Sequence, residues 1–471
     1  MKKQKQILVI MILITIFISI LCTYLSHADI SHILTGEITY TDSTPAELSP
    51  VNSPEVNFPI YSEGAVLMDS STGKVLYGKN EDEKLYPAST TKILTAILAI
   101  EKCNLTDKIT ASKTAVMSIP SGYSNAAIQP GEALTVQDLL DLFLIHSANE
   151  VGFIFAEHIS GSTEDFATLM NQKAAELGCK NTHFTNPSGL HDSEHYSTAY
   201  DMALIARYCM KNETFRDVVS KTSCTVEATD KYEERYFKNT NDLIIPSSKY
   251  YYEYAIGIKT GFTTQAKNCL ISASLKDDLE LITVALGAEA TEDGRSGRYV
   301  DTLNLFEYGF SNYKIQQVAT ANTAIEEITI ENATKDTKNL SLLLKDDIIS
   351  LAPANLDLNN LNYSVELNEN ILAPISKGDI LGKVTYNIDG INYSSDLVAS
   401  HNVEEFNVSL LIAQVALAIV VLFVIVKLFF PKKKRKNSNR GNHHISSNRK
   451  NSKNKKLKNY NNFVDSIYKF E

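Results

Sequence analysis

An α+β fold is predicted, with an antiparallel sheet flanked by helices, then a small all-β domain and one transmembrane helix. Three observations predict it. Helical patterns of apolar residues recur between residues 89 and 210. Between residues 255 and 286 three short apolar runs follow one another through tight connections, which is how an antiparallel sheet reads. Beyond residue 315 the composition turns to short strands in acidic surroundings. A chain of 471 residues has room for two or three domains, and 44% hydrophobic residues are enough for sizeable cores.

In chain order, Lys2, Lys3 and Lys5 precede an apolar run from residue 7 to 21, followed by Ser26-His27-Ala28. This small-x-small ending predicts a signal peptide over residues 1–28, cut after Ala28. Residues 29–57, rich in Ser, Thr, Pro and acids, read as a linker. Residues 65–69 and 74–77 flank Ser70-Ser71-Thr72-Gly73 and predict a β-hairpin with Gly73 in the turn. A buried helix is expected to begin near Ser89 and to continue through the apolar run 93–100.

Thr135 with Asp138 marks a helix start whose apolar face is Leu139, Leu140, Leu142, Phe143, Leu144 and Ile145. A second helix is expected from near Glu150 to before Gly161, which leaves His146-Ser147-Ala148-Asn149-Glu150 as the corner between them. Residues 162–177, closed by Gly178, and residues 200–210 are further helices, separated by a polar loop at 181–190. Strands are expected at 255–261, 269–274 and 279–286, and a closing helix at 298–308 that ends at Gly309. Five more strands, at 328–330, 340–344, 363–367, 380–386 and 394–398, make the small β-domain, assigned to residues 313–402.

Residues 408–430 are apolar except for Ser409, Gln414 and Lys427, long enough to span a hydrocarbon core of ~30 Å. Pro431 and the run Lys432-Lys433-Lys434-Arg435-Lys436 follow, which puts the tail, 431–471, on the cytoplasmic side. A cleaved signal with this stop-transfer helix predicts a single-pass cell-membrane protein whose body lies on the extracellular face. The formal charge of −10 is uneven: residues 432–471 hold 13 Lys and Arg against Asp465 and Glu471, a net of +11, so the rest carries −21. An acidic body with a basic tail excludes a basic-faced nucleic-acid binder. The five cysteines beyond the signal, Cys103, Cys179, Cys209, Cys224 and Cys269, lack metal spacing and read as buried free thiols, with one disulfide among them left open by the sequence. No metal or cofactor is expected, and no phosphate-binding glycine loop is present.

The chemistry is expected at Ser89-Thr90-Thr91-Lys92. In a helix the i, i+3 spacing stacks the Ser89 hydroxyl over the Lys92 amine. Free N–H groups of a first turn can donate to an oxyanion, and the helix dipole with burial favours a neutral amine able to take the serine proton. Ser147-Ala148-Asn149 lies in the corner between helices and Lys259-Thr260-Gly261 on a strand, so three short motifs stand in order on a helix start, a corner and a strand.

With these motifs the chain resembles the penicillin-recognising serine enzymes, a β-lactamase-like fold, and within them the low-molecular-mass penicillin-binding proteins that act as serine-type D-alanyl-D-alanine carboxypeptidases. Tyr86-Pro87-Ala88 before Ser89, Asn186-Pro187-Ser188-Gly189-Leu190, His195-Tyr196-Ser197-Thr198-Ala199 and Gly257-Ile258 before Lys259 carry the same resemblance. It implies a catalytic domain over residues 58–312. It also implies roles: Ser89 attacks the penultimate D-alanine carbonyl, Lys92 takes its proton, and Ser147 passes a proton to the leaving amine. Asn149 would bond the substrate amide or Lys92, Lys259 and Thr260 would take the terminal carboxylate, and Gly261 would let substrate lie along the strand. Backbone N–H groups of Ser89 and Phe262 would form the oxyanion hole.

The implied partners are peptidoglycan pentapeptide ending in D-Ala-D-Ala, β-lactams as inhibitors, and the cell membrane through the C-terminal helix. His195 is read as a structural loop residue. Lys267 departs from the family, which usually has glycine there, and puts the shape of that loop in question. Two alternatives are a β-lactamase of the same fold, which needs a water-activating glutamate that the 181–195 loop does not convincingly offer, and a non-catalytic β-lactam sensor or wall-binding scaffold.

Overall fold

The computed structural model describes residues 56–429, together with Met11. Apart from Met11, the expected signal peptide lies outside the described residues, as do nearly all of the linker and the basic tail. The chain divides into two compact units, one ending at Phe406 and one holding the C-terminal helix.

The first unit opens with the expected hairpin, β1 (Gly64–Asp69) and β2 (Val75–Lys79), closed by Gly73 at φ 78°. The helix near Ser89 differs from expectation. Ala88–Thr91 is a 3₁₀ turn, and the α-helix, α1 (Lys92–Lys102), begins at Lys92. Pro87 opens this turn and its carbonyl accepts the Thr90 N–H at 3.2 Å, the tight i→i+3 pattern of a 3₁₀ segment. Residues 92–99 of α1 are all buried, as in a helix surrounded by other elements.

Next come β3 (Lys108–Thr110), α2 (Lys113–Met117) and β4 (Ala133–Thr135), with β3 and β4 paired. Strands of three residues carry too little periodicity to be read from sequence. α3 (Val136–Leu144) starts with both halves of a Thr135/Asp138 capping box. α4 (Asn149–Ser160) stops at the left-handed Gly161, and α5 (Thr163–Glu176) is capped by Ser162. Then follow α6 (Ala199–Met210), capped by Thr198, α7 (Glu213–Ser220), and the hairpin of β5 (Ser223–Val226) and β6 (Arg235–Lys238).

The three expected strands are longer than the sequence suggested: β7 (Ala255–Thr263), β8 (Lys267–Lys276) and β9 (Leu279–Ala288). They join the first hairpin in one antiparallel sheet of order β2-β1-β9-β8-β7. Along β1 the pleat sorts side chains: Val66 and Met68 pack with the helices that include α1 and α6, whereas Ala65 and Leu67 pack with Leu305 and Phe306. A fully buried Leu or Met of this kind stabilises the fold by about 1.5–3 kcal/mol. Leu305 and Phe306 belong to α8 (Gly297–Asn312), which runs past Gly309 instead of ending there. A Cβ at Gly309 would sit 2.4 Å from Leu281 Cδ1, so this glycine allows the helix to lie close on β9.

Beyond it, β10 (Tyr313–Ala319), β11 (Ala324–Thr329), β12 (Asn339–Leu344), β13 (Ile348–Pro353), β14 (Tyr363–Leu367), β15 (Ile380–Ile388) and β16 (Ile391–Ala399) follow. β10 pairs with β13, and the other five form a sheet of order β11-β12-β16-β15-β14 around Leu340, Leu342, Leu344, Val384 and Leu397. Lys74, in the turn before β2, bonds the Asp389 carboxylate and carbonyl in the β15–β16 turn. The second unit is described by α9 (Val408–Phe429), a helix long and apolar enough to cross a membrane.

Candidate active site

β7 is an edge of the first sheet, and the Ser89 turn lies against it. A Cβ at Gly261 would come 3.1 Å from Pro87 O and Ser89 N, and a Cβ at Gly189, where φ is +76°, would meet Ala88 O at 1.9 Å. Two glycines on separate elements thus let the strand and the 186–190 loop close on the turn from different sides. That packing holds Ser89 half-buried and reachable, with Lys92 fully buried behind it.

Lys92 Nζ lies 2.9 Å from Ser89 Oγ, 2.7 Å from Asn149 Oδ1 and 2.8 Å from the Ser188 carbonyl. Burial, followed by the charge of Lys259, holds the Lys92 amine well below the usual lysine range, against an opposing pull from Glu150. A neutral amine has two N–H donors and one lone pair. Asn149 Oδ1 and Ser188 O can only accept, so when the amine is neutral they take both donors and the lone pair turns toward the Ser89 hydroxyl. That is the arrangement of a general base on its nucleophile.

Asn149 is placed by the first turn of α4 and by Ser124, whose carbonyl accepts its backbone N–H at 3.0 Å and its Nδ2–H at 2.8 Å. Its amide is therefore committed to Ser124 and Lys92. Ser147, two residues earlier, is buried at φ +69°, and no hydrogen bond joins its hydroxyl to Ser89 or Lys92.

Lys259 is fully buried on β7, with its Nζ donating to Thr260 O at 3.1 Å. Burial, then the charge of Arg298, brings its amine down to about 7. Thr260 Oγ1 bonds Thr240 Oγ1 at 2.7 Å. Phe262 continues the strand with its side chain exposed. Lys267, at φ +53°, accepts the backbone that glycine would favour; its amine bonds Glu63 and Glu289 at 2.6 Å each.

Three contributors were not singled out by sequence. Ser188 supplies a carbonyl to Lys92 and its Oγ donates to Asn149 O at 2.7 Å; the Asn-Pro-Ser-Gly-Leu run was its signal. Arg298 Nη1 donates to Gly261 O at 3.2 Å, and nothing local marks it. Glu150 is buried beside Asn149, with Oε1 accepting from Ala126 N–H at 2.6 Å. His195 accepts the Thr185 N–H at Nδ1, 3.1 Å, so Nε2 carries the proton given to Thr91 Oγ1 at 2.9 Å. Burial pulls the imidazole down to about 3, which keeps it neutral: a strut between loop and turn.

Two family descriptions match the chain: D-alanyl-D-alanine carboxypeptidase over residues 51–290, and the C-terminal domain of penicillin-binding protein 5 over residues 313–405. D-alanyl-D-alanine carboxypeptidase DacF of Bacillus subtilis is 35% identical over 70% of this chain and 82% of its own length. DacA of Haemophilus influenzae is 30% identical over 76% and 86% respectively. The structure of penicillin binding protein 5 from Haemophilus influenzae superposes with a TM-score of 0.57 at 28% identity, covering 75% of this chain and all of that one.

Proposed function

Because the chain belongs to the D-alanyl-D-alanine carboxypeptidase family, we propose that Ser89 is its acylated nucleophile and Lys92 the base that activates it. The protein is a serine-type peptidase and a penicillin-binding protein, with peptidoglycan peptide ending in D-Ala-D-Ala as substrate. Ser89 Oγ attacks the carbonyl carbon of the penultimate D-alanine while its proton passes to Lys92 Nζ. The C–N bond to the terminal D-alanine then breaks, its nitrogen taking a proton by way of Ser147. Water hydrolyses the ester on Ser89 and restores the hydroxyl. Lys259 and Thr260 take the terminal carboxylate, Gly261 leaves the strand edge open, and the N–H groups of Ser89 and Phe262 hold the oxyanion.

The observation that carries this reading is the Lys92 environment: the side chain is fully buried, its amine is held well below the usual lysine range, and Nζ lies within hydrogen-bond distance of Ser89 Oγ, Asn149 Oδ1 and Ser188 O. Full-length protein in detergent, given a pentapeptide ending in D-Ala-D-Ala, should release D-alanine and hold a fluorescent penicillin for far longer than one turnover. Penicillin acylation without D-alanine release would make it a sensor, and rapid penicillin turnover would make it a β-lactamase.

The layout that fits this function is a signal peptide over 1–28, a linker over 29–57, the catalytic domain over 58–312 and the β-domain over 313–402. A transmembrane helix at 408–430 and a cytoplasmic tail at 431–471 complete it. The long apolar helix after the β-domain supports membrane anchoring; the basic run that follows it in the sequence is what argues for a cytoplasmic tail and so for a catalytic domain outside the cell.

A further inference from the structure

The loop over residues 120–128 has no regular structure and an exposed tip, yet it is tied closely to the Ser147–Asn149 corner. His146 Nε2 donates to Asn125 O at 3.0 Å, Asn149 donates its backbone N–H and an Nδ2–H to Ser124 O, and Glu150 Oε1 accepts the Ala126 N–H at 2.6 Å. The first two ties end on loop carbonyls; the Glu150 tie holds a loop donor, from inside the protein, where Glu150 is 2% exposed. Burial raises the Glu150 carboxyl above its usual range, while the backbone N–H groups of Ala126, Glu150 and Ile128 and the charge of Lys92 pull it back down.

The consequence reaches the nucleophile through one amide. Asn149 can present either oxygen or nitrogen to Lys92. Only because Ser124 O occupies the nitrogen side does Oδ1 face Lys92 and draw an N–H away from Ser89, leaving the lone pair free for the serine proton. Ser124 O belongs to a loop tied at Asn125 by His146 and, two residues on from Ser124, at Ala126 by Glu150. We propose that Glu150 is a positioning residue for acylation: it fixes the 124–128 loop, which turns Asn149 Oδ1 onto Lys92. This rests on the assignment of Ser89, Lys92 and Asn149 above.

The test is a double-mutant cycle on the full-length protein in detergent, read as the second-order rate constant for acylation by fluorescent penicillin. E150M fills the volume without an acceptor and should lower the rate about tenfold or more, since small displacements of a catalytic group are costly. E150Q retains Oε1 as acceptor and should recover most of that loss. N149A should be slow by itself, and N149A with E150M should be no slower than N149A, because residues acting through one contact are non-additive. If E150M does not fold, E150D, whose shorter side chain withdraws from Ala126, replaces it in the cycle. Losses that multiply in the double variant, or an E150Q protein as slow as E150M, overturn the proposal while leaving the site intact. An N149A protein that acylates at the parent rate removes the Asn149 assignment itself and the proposal with it.

Discussion

The two halves of the first unit are both built on antiparallel sheets, but they bury different things. Up to residue 312 the interior holds Lys92, Glu132, Asn149, Glu150, Asp201, Arg235, Lys259 and Asp301, whereas from residue 313 on the buried polar side chains among the described residues are Ser350 and Ser395. Burying charge is costly unless each group is paired or neutralised, so a region that does it repeatedly has been shaped for something other than stability. The β-domain follows the ordinary rule of apolar inside and polar outside. The half before residue 313 departs from it: Glu132 and Arg235 pair with each other, Asp301 bonds Ser62, and at the proposed site burial lowers the amines of Lys92 and Lys259.

The largest break in that contrast should come from the nucleophile and its base. Ser89→Ala should abolish penicillin acylation on a gel assay, and Lys92→Ala should lower the acylation rate at neutral pH by about 10²–10⁴-fold; normal acylation by the lysine variant would remove the general-base role. Gly189→Ala comes next. Its Cβ would meet Ala88 O at 1.9 Å from a backbone at φ +76°, so unfolding free energy should fall by about 3 kcal/mol or more in a denaturant titration, with acylation lost alongside.

A gentler change tests the second buried lysine. Lys92 must be neutral to act as base, so kcat/KM should fall as pH drops through its lowered value. Lys259 must be charged to hold a carboxylate, and with its amine near 7 the free enzyme loses that charge as pH rises past neutrality. The profile should therefore be bell-shaped, and Lys259→Arg, which stays charged, should move the alkaline limb to higher pH. An unmoved limb would show that Lys259 does not set it. The smallest effect belongs to the β-domain: Asp389→Ala removes the carboxylate that Lys74 bonds, leaving the carbonyl, and should cost about 0.5–1 kcal/mol of unfolding free energy while leaving kcat/KM on pentapeptide unchanged.

Local patterns revealed much of this molecule because local physics decided them. The Thr135/Asp138 capping box, Gly73 and Gly161 in left-handed turns and the period-2 runs of β12 and β15 each depend on neighbours a few residues away. The Gly309 stop was misread because the same residue type serves a helix end and a close approach, and only the position of Leu281 distinguishes them.

From the sequence alone came the order of the motifs, Ser89 to Lys92, Ser147 to Asn149 and Lys259 to Gly261, and the family they resemble. Each motif is a run of adjacent residues, so its elements and their sequence could be read directly. The tertiary structure decided how the motifs meet. Joining β1 to β9 and placing β7 at the sheet edge brings elements 170 residues apart around one serine. The protonation state of Lys92, the commitment of Asn149 to Ser124 and the part played by Ser188, Arg298 and Glu150 follow from that assembly. They depend on burial and on hydrogen-bond partners distant in the chain, which no local pattern encodes.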